Sequence, residues 1–257
     1  MRGFDILGNI AIVKFKRGAK AGEKKRFALE ILKENVNVRT VLEKTDKFKG
    51  RLRTLKTKHI LGEKTKEALY KENGCLFRFN VESCYFSPRL SSERKEVASM
   101  VKNGENVLVM FGGVAPFAIV IAKNSKTSKV TSVELGRECS KYAIENVRRN
   151  KLLDRVKITQ GDVRKKVHLL GEKFDRIVMA RPNLKDSFLD VAFPHIKRGG
   201  IIHYYGFYPE SEKESLRKLI ETEAKKARKK TKILKVKKAG DIAPYKFRYR
   251  VDFKVLN

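Results

Sequence analysis

From about residue 104 onward, short apolar runs alternate with helical patterns, and that alternation leaves few architectures open to the chain. Strands are expected at 106–111 (NVLVMF), 130–134 (VTSVE), 156–159 (VKIT), 174–179 (FDRIVM) and 200–205 (IIHYY preceded by Gly200). Helices are expected between them at 115–124, 137–150 and 184–194. Short strands separated by helices make a parallel sheet covered on both faces, an α/β fold. A lysine-rich helix at about 210–230 then leads to two further strands, near 232–237 and 246–255.

The first third of the chain reads differently. IAIVKF (10–15) and VRTVLEK (38–44) have strand character and flank a helix over 23–35; CLFRFNV (75–81) follows the turn Glu72-Asn73-Gly74. This is a small basic α+β module, taken as residues 1–85, ahead of a larger α/β domain at 86–257. Across the 257 residues, 60 Lys and Arg oppose 29 Asp and Glu, a formal charge of +31. The excess is clustered, with seven basic residues and one Glu in 14–26 and twelve against four in 211–238. The segment 47–58 adds six with no acid. Clustered positive charge favours a polyanion held through its phosphates. Cys75, Cys84 and Cys139 form no CxxC pair and no ligand set with the scattered histidines, so neither a disulfide framework nor a metal site is expected. No membrane span and no signal-peptide core is present in the sequence; a cytoplasmic monomer is expected.

In an open α/β sheet, ligands sit beyond the carboxyl ends of the strands. The turn Gly112-Gly113-Val114-Ala115 falls there, between the first strand of the series and its helix, where glycine permits close backbone approach. Glu134 ends the next strand 21 residues after Gly113, the place for an acid that grips ribose hydroxyls. Asp162 follows the third strand, within reach of an adenine amine. GxGxxG and GxxxxGK[ST] are both absent, which argues against NAD and against ATP or GTP hydrolysis by a phosphate loop. S-adenosylmethionine fits what remains.

A second constellation, FSPRLSSER (86–94), precedes the glycine turn. Pro88 stiffens the entry to Arg89, Glu93 and Arg94. If a helix begins after it, Arg89 and Glu93 share a face at i,i+4, either as a surface ion pair or as a general base with arginines that fix an anionic substrate. After the fourth strand, MARPN (179–183) supplies Pro182 to hold a loop and Arg181 or Asn183 to face the substrate.

YFSPRLSSER (85–94), MFGGVAPFAI (110–119), DRIVMARP (175–182) and GGIIHYYGF (199–207), with the closing IAPYKFRYRVDF (242–253), resemble the archaeal and eukaryotic tRNA (guanine-37 N1)-methyltransferases. A weaker resemblance reaches upstream through GRLRTLKTKHILGE (50–63) and YKENGCLFRFNV (70–81). The resemblance implies a class I, Rossmann-like methyltransferase domain with two strands closing a five-stranded parallel series, using S-adenosylmethionine on N1 of guanosine-37 in tRNA. It implies that Glu93 is the general base, that Arg89 and Arg94 support it, and that Arg53 contacts the guanine or its backbone. Tyr85, Met110, Phe111, Gly112, Gly113, Val114, Glu134, Leu135, Asp162, Val163 and Pro182 would surround the cofactor, with Arg181, Asn183 and Tyr204 toward the substrate. Three departures stand out. Val109, Gly112 and Ala115 replace the acid, alanine and second glycine of DxFAGVGPF; Ala180-Arg181-Pro182 replaces NLP; and the chain starts almost directly at the family's central domain. One branch with a variant NLP loop also methylates a wyosine precursor, 4-demethylwyosine, and a sister group transfers a 3-amino-3-carboxypropyl group instead. A non-catalytic RNA-binding protein would share the charge but has no use for the ordered acids.

Overall fold

The computed structural model describes residues 3–46, 48–181, 184, 186–243 and 245–257. The chain opens with a four-stranded sheet in the order β1-β2-β3-β4, formed by Phe4–Leu7, Ile10–Val13, Thr40–Lys44 and Thr57–Gly62. Helix α1 (Ala21–Glu34) makes the crossover between the parallel strands β2 and β3 and buries Ala28 and Ile31 against Ala11, Val13 and Val41. β5 (Glu67–Glu72) and β6 (Cys75–Asn80) form a separate hairpin, turned by Asn73 and Gly74, both in the left-handed region. The strands β1, β4 and β5 carry charged or glycine residues that blur their alternation, and the sequence pattern misses them.

After a single 3₁₀ turn at Pro88–Leu90, α2 (Ser91–Ser99) begins the larger unit. β7 (Asn106–Met110), α3 (Pro116–Asn124), β8 (Lys129–Glu134), α4 (Arg137–Arg149), β9 (Val156–Gln160), α5 (Val163–Lys166) and β10 (Phe174–Met179) come next in strict alternation. α6 (Leu189–Ala192), β11 (Ile196–Pro209), α7 (Lys213–Lys226), β12 (Thr231–Ala243) and β13 (Lys246–Val255) complete the chain. The sheet order is β12-β13-β11-β10-β7-β8-β9. Five strands are parallel; β13 inserts antiparallel to β11, and β12 pairs antiparallel with β13. This is the class I methyltransferase topology expected from the resemblance.

Beyond the missed strands, and β12 running on to Ala243 past the expected 232–237, two elements differ from the sequence reading for identifiable local reasons. The helix expected over 184–194 contracts to α6, because Asp186 and Ser187 bond the amides of Phe188 and Leu189 and so start it late. Pro194, without an amide proton, limits the continuation of α6 to a 3₁₀ turn. β11 extends well past the expected 200–205, since β13 offers it a continuous partner from Ile201 to Pro209.

The hairpin is fastened to the larger unit by side-chain amides. On α4, Asn146 accepts from Arg78 N at 2.7 Å and donates to Arg78 O at 3.1 Å; Asn150 does the same with Leu76 at 2.9 and 2.7 Å. Two asparagines one helical turn apart thus stand in for a neighbouring strand and satisfy the β6 edge. Ala68, Cys75, Phe77 and Phe79 share one core with Val107, Val109 and Ile119, so packing joins the hairpin to the large sheet upstream of the 85/86 boundary read from the sequence. Contrary to the cysteine reading, Cys84 and Cys139 are joined in a disulfide, with Cα atoms 5.4 Å apart. They are 55 residues apart in sequence, a spacing that carries no signature.

The glycine turn shows how its unusual residues are accommodated. A Cβ on Gly112 would lie 2.1 Å from Ser132 Oγ, so the serine on β8 occupies the space an alanine needs. Ala115 holds φ 66°, a conformation that costs an alanine roughly 1–2 kcal/mol. Gly112→Ala is therefore expected to destabilise the protein by about 1–3 kcal/mol, with Ser132→Ala in the same chain recovering most of the loss. Ala115→Gly should stabilise it by about 0.5–1 kcal/mol. Urea unfolding of these variants beside the parent checks both expectations.

Candidate active site

Beyond the carboxyl ends of β7, β8 and β10, a cavity is bordered by Phe111, Gly113, Glu134, Leu135, Asp162, Val163, Ala180 and Arg181. The small unit closes it from the other side with Arg51, Leu52 and Arg53, and Tyr85, Tyr205 and Arg248 complete the wall. Glu134 organises the turn: one carboxylate oxygen accepts from Gly113 N at 2.7 Å, the other from Gly136 N at 2.6 Å. Burial pushes its carboxyl up from the ordinary range, and the amides of Gly136, Gly113 and Leu135 partly offset this. Each oxygen keeps a further acceptor position for a hydroxyl. Gly113 has φ 56°, and a Cβ there would meet little on the protein side, so the turn presents bare backbone.

Asp162 caps α5 by accepting from Arg164 N at 3.0 Å, and its second oxygen pairs with Arg51 at 3.0 Å. Burial opposes its ionisation, but the Arg164 amide and the Arg51 guanidinium outweigh that and hold its carboxyl below the usual range. The Arg51–Asp162 pair joins the small unit to the sheet across the cavity mouth. Arg53 lies over Tyr85, 3.7 Å from the ring centroid, and Phe48 packs edge-on against the same ring. A second cavity, bordered by Phe48, Ser87, Arg89, Phe207 and Asp241, shares Arg53, Tyr85, Leu184 and Arg248 with the first.

α2 carries the other half of the site. Glu93 is 3% exposed and accepts from Tyr205 Oη at 3.2 Å, Arg250 at 2.6 Å and Lys237 at 2.7 Å. Arg250 is itself fully buried and also pairs with Glu96 and Asp252. Asp252 meets His203 Nδ1 at 2.6 Å, and Arg176 meets His203 Nε2 at 2.7 Å while also pairing with Glu105. Burial pushes His203 down, against the pull of Asp252. A neutral ring that accepts from Arg176 at Nε2 must carry its proton on Nδ1, toward Asp252.

The sequence-derived residues thus separate by where the fold places them. Arg53, Tyr85, Phe111, Gly113, Glu134, Leu135, Asp162, Val163 and Arg181 line the first cavity. Met110, Val114 and Tyr204 are buried behind its wall, and Gly112 packs on Ser132. Arg89 does not meet Glu93 in an i,i+4 pair; it is exposed, borders the second cavity and pairs with Asp5 of β1 at 2.8 Å. Arg94 is buried and binds Glu72 of β5 through two nitrogens, with a third bond to Ser87 O, so it anchors α2 to the hairpin. Pro182 and Asn183 lie outside the described residues. Sequence reasoning missed Arg51, Tyr205, Arg248 and Arg250. The basic stretch GRLRTLK around Arg51, the closing RYR and the HYY ending were their only signals, and none names a role. Among the described residues no group of three or more His, Cys, Asp or Glu is arranged to hold a metal, and no helix is long and apolar enough to cross a membrane.

Residues 68–234 match the family model of the TRM5/TYW2 methyltransferase domain, and residues 1–65 match that of the TYW2 N-terminal domain. The tRNA (guanine(37)-N(1))-methyltransferase Trm5b of Pyrococcus abyssi is 37% identical, with 98% of this chain and 74% of that protein aligned. Its crystal structure superposes with a TM-score of 0.89 at 36% identity, covering 99% of this chain and 75% of that one. The tRNA (guanine(37)-N(1))/4-demethylwyosine(37)-methyltransferase Taw22 of Nanoarchaeum equitans is 32% identical over 97% of this chain and 98% of its own length. A complex of aTrm5 with tRNALeu matches with a TM-score of 0.86 at 26% identity, covering 99% of this chain and 72% of that chain. Methanocaldococcus jannaschii TYW2 in complex with AdoMet matches at 0.76 and 26%, covering 99% and 100%.

The charge cluster beneath α2 has a pH signature. Burial works against ionisation of Glu96, but hydrogen bonds from Arg250, Lys237 and Lys235 prevail and hold its carboxyl at about 2, from an ordinary 4.5. A carboxyl depressed on folding adds stability above its unfolded value and loses it as pH falls toward its folded one. Glu96→Gln should therefore narrow its stability gap to the parent as pH drops from about 4.5 to about 2. Melting temperatures of the two proteins across that window test it.

Proposed function

The chain belongs to the TRM5/TYW2 methyltransferase family, and from that premise we propose that it methylates N1 of guanosine-37 in tRNA, using S-adenosylmethionine. The observation that carries this reading is the convergence, around one cavity, of a ribose-type cradle and a buried carboxylate. Glu134 with the Gly113 turn lies on the sheet side, and Glu93 is held beside Tyr205 on the α2 side. The residues present suit an adenosyl group. Two acids at the strand ends can accept from hydroxyl and amine donors, the backbone at Gly113 is bare, and apolar Leu135 and Val163 flank them.

When bound, S-adenosylmethionine supplies an electrophilic sulfonium methyl. The chain's own residues do the remaining work. Arg53 and Tyr85, stacked at the junction of the two cavities, offer a cation and an aromatic face to an extruded base. Methylation at a protonated ring nitrogen requires its proton to leave, and Glu93 is the acceptor. Arg250 and Lys237 both pair with that buried carboxylate and fix its position beside Tyr205. Arg51, Arg53 and the basic segments 14–26 and 211–238 supply the charge that holds the tRNA backbone.

A second reading extends the first. The match to Taw22, which spans 98% of that relative, favours methylation of 4-demethylwyosine at C7 in addition to guanosine-37. Two tRNA substrates, one unmodified and one bearing 4-demethylwyosine at position 37, can be incubated with methyl-labelled cofactor and digested to nucleosides. Label in N1-methylguanosine from the first is expected, and label in the methylated tricycle from the second supports the dual activity. Absence of methyl label from both, with uptake of label from the cofactor's aminocarboxypropyl carbons, would move the chain to the other transferase chemistry.

Glu93→Gln should bind tRNA and cofactor nearly as the parent does while losing methyl transfer by about 100-fold or more at neutral pH. Single-turnover rates with filter binding separate the two effects, and near-parental transfer would remove Glu93 from its role.

A further inference from the structure

Tyr205 stands between the proton acceptor and the cavity. It is 1% exposed, it forms part of the cavity wall, and its hydroxyl donates to Glu93 Oε2 at 3.2 Å. Glu93 is set behind that wall. Its Oε2 also receives Arg250 at 2.6 Å and its Oε1 receives Lys237 at 2.7 Å. Tyr205 is among the residues that line the cavity and Glu93 is not, so Tyr205 is the nearer of the two to a purine that enters it. Phe117 packs against the Tyr205 ring at 5.8 Å between centroids, and β13 flanks it with Arg250 directly opposite in the register, so the phenol has little freedom to swing aside.

We propose that Tyr205 is a catalytic proton relay: its oxygen takes the N1 proton of the target base while its own proton passes to Glu93. The inference rests on the reading of Glu93 as the final acceptor. In the step, the N1–H bond breaks and a new Oη–H bond forms, while the old Oη–H bond breaks and an Oε2–H bond forms. The electron pair left on N1 makes the bond to the incoming methyl as the sulfonium carbon–sulfur bond breaks. Tyr205 ends as it began, a neutral phenol; Glu93 ends as a neutral acid, and the loss of its negative charge balances the loss of the sulfonium's positive one.

The surroundings favour a relay over a phenolate base. Burial raises the Tyr205 hydroxyl well above its ordinary range, and the Glu93 charge raises it further, against the opposing pull of Arg250. The phenol is thus protonated at neutral pH and able to give a proton only as it receives one. The groups that surround the pair are Arg250 and Asp252 from β13, Lys237 from β12 and Glu96 from α2. Arg250 contacts both Glu93 and Glu96, and Lys237, one-third exposed, marks the solvent end of the cluster. A substitution of the hydroxyl alone leaves that ionic frame in place.

Tyr205→Phe removes only the oxygen. Its single-turnover methyl transfer to guanosine-37 is expected to fall by about 100-fold or more, with cofactor affinity by calorimetry and tRNA affinity by filter binding within about threefold of the parent. Because the two groups act in series, Tyr205→Phe/Glu93→Gln should be no slower than the slower single variant. The parent's rate in mixtures of light and heavy water should curve with deuterium fraction, as two protons in flight require. Near-parental transfer by Tyr205→Phe, beside an inactive Glu93→Gln, would mean that the carboxylate reaches the base directly, and the relay would be wrong. A linear isotope dependence in the parent overturns it equally, independent of how any variant folds. Full activity in Glu93→Gln would instead remove the underlying reading of the base.

Discussion

A guanidinium that water does not reach lies at the centre of this molecule. Arg250, on the strand that runs antiparallel between β11 and β12, touches Glu93, Glu96 and Asp252 at once. Burying such a charge is tolerable only if its partners satisfy it with good geometry, and removing one partner from a buried pair typically costs about 3–5 kcal/mol. The helix that carries Glu93 and the strand that carries Asp252 are therefore tied to one another through a single side chain, and Lys237 brings β12 to the same carboxylates. The network continues through His203 and Arg176 to Glu105 at the start of β7. The two halves of the site, the glycine turn after β7 and the carboxylate on α2, are held relative to each other by this chain of contacts.

The cofactor side depends on a different arrangement of groups. Glu134 serves as a brace for the Gly113 and Gly136 amides while keeping acceptor positions toward the cavity. The substitutions in the turn leave that brace intact. Gly112 is packed beneath by Ser132, and Ala115 adopts the left-handed conformation that a glycine would take without strain. Val109, where the family's pattern has an acid, is a buried core residue of β7 and makes no demand on the cavity.

Much of the fold was legible in advance because hydrophobic periodicity acts locally. The five parallel strands, α3, α4 and the two closing strands follow from apolar spacing within short windows, and Glu134 follows from its place at a strand end. The pairings that complete the site are not local. Arg51 and Asp162 are 111 residues apart, Glu93 and Arg250 are 157 apart, and Cys84 and Cys139 are 55 apart. The expected Arg89–Glu93 pair illustrates the point: spacing along α2 allows it, but Arg89 turns out to Asp5 and Glu93 turns inward to Arg250. Arg94 was legible as a neighbour of the carboxylate, yet Glu72 on the hairpin claims it.

Sequence alone determined the α/β class, the glycine turn with its acid 21 residues on, the basic character and, through four ordered motifs, the family. These are properties of residue type and spacing, which a linear chain already contains. Tertiary structure decided which charges meet, which face of α2 is buried and which residue stands between Glu93 and the cavity. The reason is physical: an ion pair or a cavity wall depends on distances between segments. Those distances exist only once β13 has inserted beside β11 and brought Arg250 and Tyr205 under the carboxylate of Glu93. The feature that most shapes the proposed chemistry, a cavity-lining tyrosine whose hydroxyl bonds Glu93, is therefore a consequence of strand order.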